Sequence, residues 1–244
     1  MAGVRGSVTM TLIALNVLAA IVVTVAAGGE GLVGGGLGGL VGASTGLLDD
    51  GALVGQALYL DPQTGAILPI GIAYGEYYRL FTAMFLHLGL LHLALNMWAL
   101  WVLGRTLEGV LGPVRFLALY LVAGLGGSVA VYLFSPATAT VGASGAIFGL
   151  FAALFIVLKR LKKDTSSVIP ILVINLVISF LPGISLAGHL GGLVAGGIIA
   201  FALAYAPTKH RNLFVGATVA GLLALMAVIV AIQTVALQTY APTS

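Results

Sequence analysis

Residues 81–103 read FTAMFLHLGLLHLALNMWALWVL, and the fold class follows from that run. It contains no Asp, Glu, Lys or Arg. A helix needs about 20 mostly apolar residues to cross ~30 Å of hydrocarbon, so the run predicts a transmembrane span. Its strongly polar side chains are few: His87, His92 and Asn96. The same ruler carried outward marks spans near 9–27, 116–135, 144–158, 166–182, 186–206 and 213–237. Composition agrees. Of 244 residues, 60% are hydrophobic and 7% charged, whereas a soluble domain carries roughly 25% charged residues; this chain could not cover its own surface in water. The expected fold is therefore an all-α, polytopic membrane helix bundle of seven transmembrane helices, with a short central one beginning at Ser144. Cysteine is absent, which removes disulfides, thiolate metal sites and cysteine nucleophiles together. A net charge of +3, with the basic residues in short clusters between apolar runs, argues against nucleic acid as a partner.

Basic residues set the expected orientation. Arg5, Arg105, Arg115, Lys159, Arg160, Lys162, Lys163, Lys209 and Arg211 are nine of the ten Lys and Arg. All fall on one side of the seven spans, which makes that side, and the N-terminus, cytoplasmic. Glu30, Asp49, Asp50, Asp61 and Glu76, five of the seven acids, fall on the other side. Arg79 is the one basic residue among them and needs its own explanation. The expected organisation is a first helix over 1–27, an outer segment over 28–74, a core over 75–207, and a seventh helix with its tail over 208–244. Gly28 to Gly46 is rich enough in glycine to predict an irregular linker, a weak glycine-mediated helix being the alternative. The first span resembles a signal peptide, but its apolar stretch is long, which favours a retained anchor.

The spans contain no Asp, Glu, Lys or Arg. Ion-coupled carriers need intramembrane charges and an aspartyl intramembrane protease needs two buried Asp, so both are disfavoured. His87 and His92 are five residues apart, about 140° around a helix, with no carboxylate between them, so no metal site of the HExxH type is expected. Ser144 stands in Val141-Gly-Ala-Ser-Gly-Ala-Ile-Phe148, where irregular backbone becomes a helix. That position suits a hydroxyl and an amide to a developing oxyanion; a serine between Gly142 and Gly145 also occurs for close packing alone. His189 stands beside Gly188, Gly192 and Gly196, small residues every fourth position that let another helix approach, with Gly145 and Gly149 as the matching pair. A backbone carbonyl satisfying the imidazole is the competing explanation. His92 and Asn96 are four apart and share a helix face, either as paired donors or as a polar tie between helices.

Depth discriminates among these readings. At 1.5 Å per residue, Ser144 lies about 22 Å from Lys159, His92 about 20 Å from Arg105, and His189 about 26 Å from Ala206. All three fall in one layer, roughly 5–10 Å beneath the outer edge of the hydrocarbon, and this agreement favours a constellation. The short fourth span would let water reach it from outside.

The combination of Gly75-Glu-Tyr-Tyr-Arg-Leu80, Phe85-Leu-His-Leu-Gly-Leu-Leu-His-Leu-Ala-Leu-Asn-Met97, Gly142-Ala-Ser-Gly145 and Ala187-Gly-His-Leu-Gly-Gly192 resembles the rhomboid family of intramembrane serine proteases, over about residues 75–207. The resemblance implies a six-helix core plus one further C-terminal helix, and a Ser–His dyad without an acidic third member. Ser144 would be the nucleophile and His189 the general base. His92, Asn96 and the Ser144 amide would form the oxyanion hole. Phe148 would pack on the catalytic imidazole and Arg79 would be a structural residue of the first outer loop; His87, Gly142 and Gly145 would support the site. Tyr78 stands where many members carry Trp. The resemblance further implies substrates that are membrane proteins with a transmembrane segment, no cofactor, and a place in a bacterial cell membrane with the site opening to the outer face. A catalytically silent relative that binds membrane clients is the alternative, although such proteins usually lack the serine or histidine retained here.

Overall fold

The computed structural model describes residues 7–27, 50–61 and 64–239. Its elements, in chain order, are α1 (Ser7–Ala26), a small hairpin β1 (Ala57–Leu60) and β2 (Ile67–Ile70), the single turn α2 (Arg79–Thr82), α3 (Leu90–Leu111), α4 (Pro113–Phe134), α5 (Ser144–Arg160), α6 (Val168–Ile178), α7 (Leu186–Tyr205) and α8 (Arg211–Thr239). The chain is an integral, multi-pass membrane protein. Helices α1, α3, α4, α7 and α8 are long and apolar enough to cross a bilayer, while α5, with 17 residues, and α6, with 11, are shorter. The expected Gly28–Gly46 linker and Arg5 lie outside the described residues.

Local chemistry sets the boundaries. Gly112, at φ 82°, joins α3 to α4 directly, and Pro113 opens α4, where its missing N–H has no helical partner to lose. Ser185 caps α7, its Oγ accepting from the Gly188 amide at 3.1 Å. Helices α4, α5 and α7 form the centre, and glycine brings them together. A Cβ on Gly192 would collide with the carbonyl of Gly145, one on Gly196 with the backbone of Gly149, and one on Gly127 with the Gly188 carbonyl at 2.7 Å. The glycine stripe on α7 does meet the pair on α5, as the sequence suggests. Lipid tails are as apolar as leucine, so such backbone-to-backbone packing is what membrane helices use in place of a hydrophobic drive. Gly192→Ala is expected to destabilise the bundle by about 1–3 kcal/mol, read as a lowered unfolding midpoint in detergent.

Three expectations change. The span expected over 81–103 is not one helix. After α2 the chain makes a short 3-10 turn to Phe85, runs extended at Leu86, and starts α3 only after Gly89, at φ 85°. His87 therefore lies on the entry segment and not on the helix. Second, α3 continues past Arg105 to Leu111 and carries Glu108, which is buried, so this helix does hold a carboxylate. Its Oε1 accepts from the Val8 amide at 3.0 Å, and its Oε2 accepts from the amide and hydroxyl of Thr9 at 2.9 and 2.7 Å. These are the first, otherwise unpaired, amides of α1, and a negative charge suits that helix end. Glu108→Ala leaves them without a partner and is expected to cost about 1–3 kcal/mol, seen as loss of α1 protection in hydrogen exchange. Third, the segment after the glycine run contains the β1–β2 hairpin, paired from Ala57 with Ile70 to Leu60 with Ile67.

Candidate active site

Ser144 is the first residue of α5, so its hydroxyl stands at the helix N-terminus. The turn before it is shaped by Gly142, whose φ of 131° favours glycine and whose amide donates to the Ala83 carbonyl at 2.9 Å. His189, one turn into α7, is 7% exposed. Ser144 Oγ and His189 Nε2 lie 2.8 Å apart, a hydrogen bond between residues 45 positions apart in the sequence. One turn beyond Ser144, the Phe148 ring stacks on the imidazole with centroids 4.1 Å apart and planes 14° from parallel. The other face of the seam is glycine: Gly145 lies against the Gly188 carbonyl, so no side chain intrudes between the two helices here.

His92 borders the same turn, and Asn96 follows it one turn further along α3. A Cβ on Gly142 would lie 2.9–3.0 Å from the His92 ring and 3.8 Å from Ser144 Oγ, so the His92 ring borders the serine's approach, and only a residue without a side chain fits at 142. Asn96 is buried and its Nδ2 donates to the His92 carbonyl at 2.9 Å. A carboxamide has two N–H donors, so one remains after that bond. His87 is buried beneath the turn. Its Nε2 accepts from the Ala143 amide at 3.5 Å, and its ring meets that of His92 edge-on at 5.1 Å. Around Ser144 lies a cavity whose walls include Ala83, Met84, Gly127, Ser128, Val141 and Ser185.

Arg79 is elsewhere. Although 2% exposed, its guanidinium faces the segment before α2: Nε pairs with Glu76 at 2.7 Å and Nη1 donates to the Ala52 carbonyl at 2.8 Å. Glu76 also accepts from the Gly71 amide at 2.6 Å. Arg79 thus ties residues 52, 71 and 76 into one knot, which accounts for the lone basic residue among the acids.

One residue at the site is not among those picked from the sequence. Ser179, immediately after α6, places its Oγ 2.6 Å from His189 Nδ1. A hydroxyl in an apolar run has no distinctive spacing, so the sequence carries no signal that singles Ser179 out.

A family model described as Rhomboid domain matches residues 74–206. The chain is 45% identical over 138 residues to Rhomboid protease GluP of Bacillus subtilis (strain 168), covering 54% of this chain and 27% of that protein. It is 37% identical over 139 residues to RHOMBOID-like protein 6, mitochondrial, of Arabidopsis thaliana, covering 54% and 45%. With RHOMBOID-like protein 5 of the same plant it shares 34% identity over 169 residues, covering 66% and 55%. The chain thus spans between about a quarter and a little over half of the length of these relatives.

Proposed function

The chain belongs to the rhomboid family, and on that premise we propose that it is an intramembrane serine endopeptidase working through Ser144 and His189. The observation that carries this reading is the 2.8 Å contact between Ser144 Oγ and His189 Nε2. A serine hydroxyl is a weak nucleophile until an adjacent base takes its proton, and the buried imidazole is that base. Phe148, stacked on it, limits its rotation.

In the first step Ser144 Oγ attacks the carbonyl carbon of a peptide bond while its proton passes to His189 Nε2. The carbonyl oxygen becomes an oxyanion, held by the second N–H of Asn96, by the His92 ring, and by the Ser144 amide at the start of α5. The C–N bond then breaks, the imidazolium gives its proton to the leaving amine, and an acyl-enzyme remains. Water, deprotonated by the same imidazole, attacks the ester and frees Ser144. We assign the substrates to membrane proteins that carry a transmembrane segment, because only a chain already in the bilayer reaches a serine at this depth. The basic residues Lys159 and Arg160 end the helix that Ser144 begins. By the bias of basic residues toward the cytoplasm, this reading opens the cavity to the outer face of a bacterial cell membrane.

The test is made on the purified full chain in detergent or liposomes. A fluorophosphonate probe is expected to label Ser144, and a membrane-anchored reporter is expected to be cut within or beside its span. A chain that takes no label and cuts no reporter would overturn the reading.

A further inference from the structure

Ser179 is 2% exposed, while of the α6 residues before it, 168–178, only Val168 is buried. Its hydroxyl has two neighbours: His189 Nδ1 at 2.6 Å and the Asn175 carbonyl oxygen at 2.8 Å. A hydroxyl has one proton to give, and the carbonyl can only accept. If Ser179 gave its proton to Nδ1, two oxygen lone pairs would face each other at the Asn175 contact, and Nε2 would carry the ring's hydrogen and could not receive the Ser144 proton. The opposite polarity satisfies every atom. Ser144 O–H points to Nε2, Nδ1–H points to Ser179 Oγ, and Ser179 O–H points to the Asn175 carbonyl, a row running from α5 through α7 to the end of α6.

We infer that Ser179 is a positioning residue of the reaction proposed above, a neutral third member that holds His189 in its Nδ1–H tautomer. The inference rests on the Ser144–His189 reading. When the Ser144 proton arrives at Nε2 the ring becomes an imidazolium, and the bond from Nδ1–H to Ser179 Oγ becomes charge-assisted, hence stronger in the transition state than at rest. Ser179 neither gains nor loses a proton in the cycle: the proton from Ser144 leaves on the amine, and Ser179 keeps its own on the Asn175 carbonyl. With no carboxylate beside the histidine among the described residues, the site thereby acquires a fixed acceptor without a second buried charge, which would be costly there.

The experiment compares wild type with Ser179→Ala, Ser179→Thr and Ser179→Val, in reporter cleavage, fluorophosphonate labelling rate, unfolding midpoint and the 15N resonances of His189. Ser179→Ala is expected to lower kcat about 10- to 100-fold, the weight of one hydrogen bond to a charged group, with KM unchanged. Thr and Val add the same bulk, and Thr alone keeps the hydroxyl, so Ser179→Thr is expected to exceed Ser179→Val in both kcat and labelling rate. The wild-type nitrogen spectrum is expected to show Nδ1–H and unprotonated Nε2, giving way to a tautomer mixture in Ser179→Ala. A wild-type histidine with the proton on Nε2, or a labelled wild type whose kcat matches that of Ser179→Ala, overturns the inference while leaving the protease reading in place. An unlabelled, inactive wild type overturns the protease reading itself. A fall in unfolding midpoint, with kcat of the folded fraction and the tautomer unchanged, would make Ser179 a structural pin and likewise overturn the inference.

Discussion

His189→Ala is expected to abolish measurable cleavage, a fall of about 10⁴-fold or more, because in serine hydrolases generally the base and the nucleophile act as a unit and either deletion removes most of their joint effect. The fluorophosphonate reaction should fall with it, since attack on phosphorus also requires the Ser144 proton to be taken. Ser144→Ala should match it in cleavage, and the double variant should be little worse than either single one. The side chain of His189 sits between Ser144, Phe148 and Ser179 and its removal leaves a void, so the unfolding midpoint must be measured alongside. A folded His189→Ala chain that cuts the reporter at the wild-type rate would remove the imidazole from the chemistry.

Asn96→Ala is expected to lower kcat by ~10²–10³, the usual effect of deleting one oxyanion donor, with little change in KM. Its Nδ2 donates to the His92 carbonyl, one turn back on the same helix and already within the i→i−4 ladder, so the fold loses only a local, supplementary bond. The effect should therefore appear in kcat and not in stability. Asn96→Asp separates shape from donation: it keeps the outline and replaces both N–H donors with an acceptor, and should be at least as impaired as the alanine variant. Normal turnover in either variant would exclude Asn96 from the oxyanion site.

Much of this arrangement was legible in the sequence, and what escaped did so for physical reasons. Helix counting from the basic clusters put Ser144, His92 and His189 in one layer, and the first and last of these are hydrogen-bonded. The glycine spacing on α7 pointed to the α5 contact because small residues every fourth position leave a groove. Hydropathy, in contrast, cannot sense backbone direction: residues 81–103 carry no formal charge and are mostly apolar, yet the chain turns at Leu86–Gly89, where Gly89 takes a positive φ. The expected span stops at 103, short of Arg105, because a charge normally marks such a boundary, whereas α3 runs on past Arg105 and Glu108, whose carboxylate the α1 amides satisfy. Ser179 was passed over because its significance lies in a partner ten residues away on another helix, across a loop whose path the sequence does not describe. The β1–β2 hairpin, four residues to a strand, is too brief for alternation to stand out.

The glycine seam between α5 and α7 bears on how this protein would respond to heat. Side chains at an ordinary helix junction have rotamers to exchange, and a warming interface can loosen by degrees as they hop. Main chain resting on main chain has no such gradation. The spacing that brings Ser144 to His189 is thus gauged by peptide groups themselves, and the alignment of the pair should persist up to the temperature at which the bundle melts, then vanish together with it.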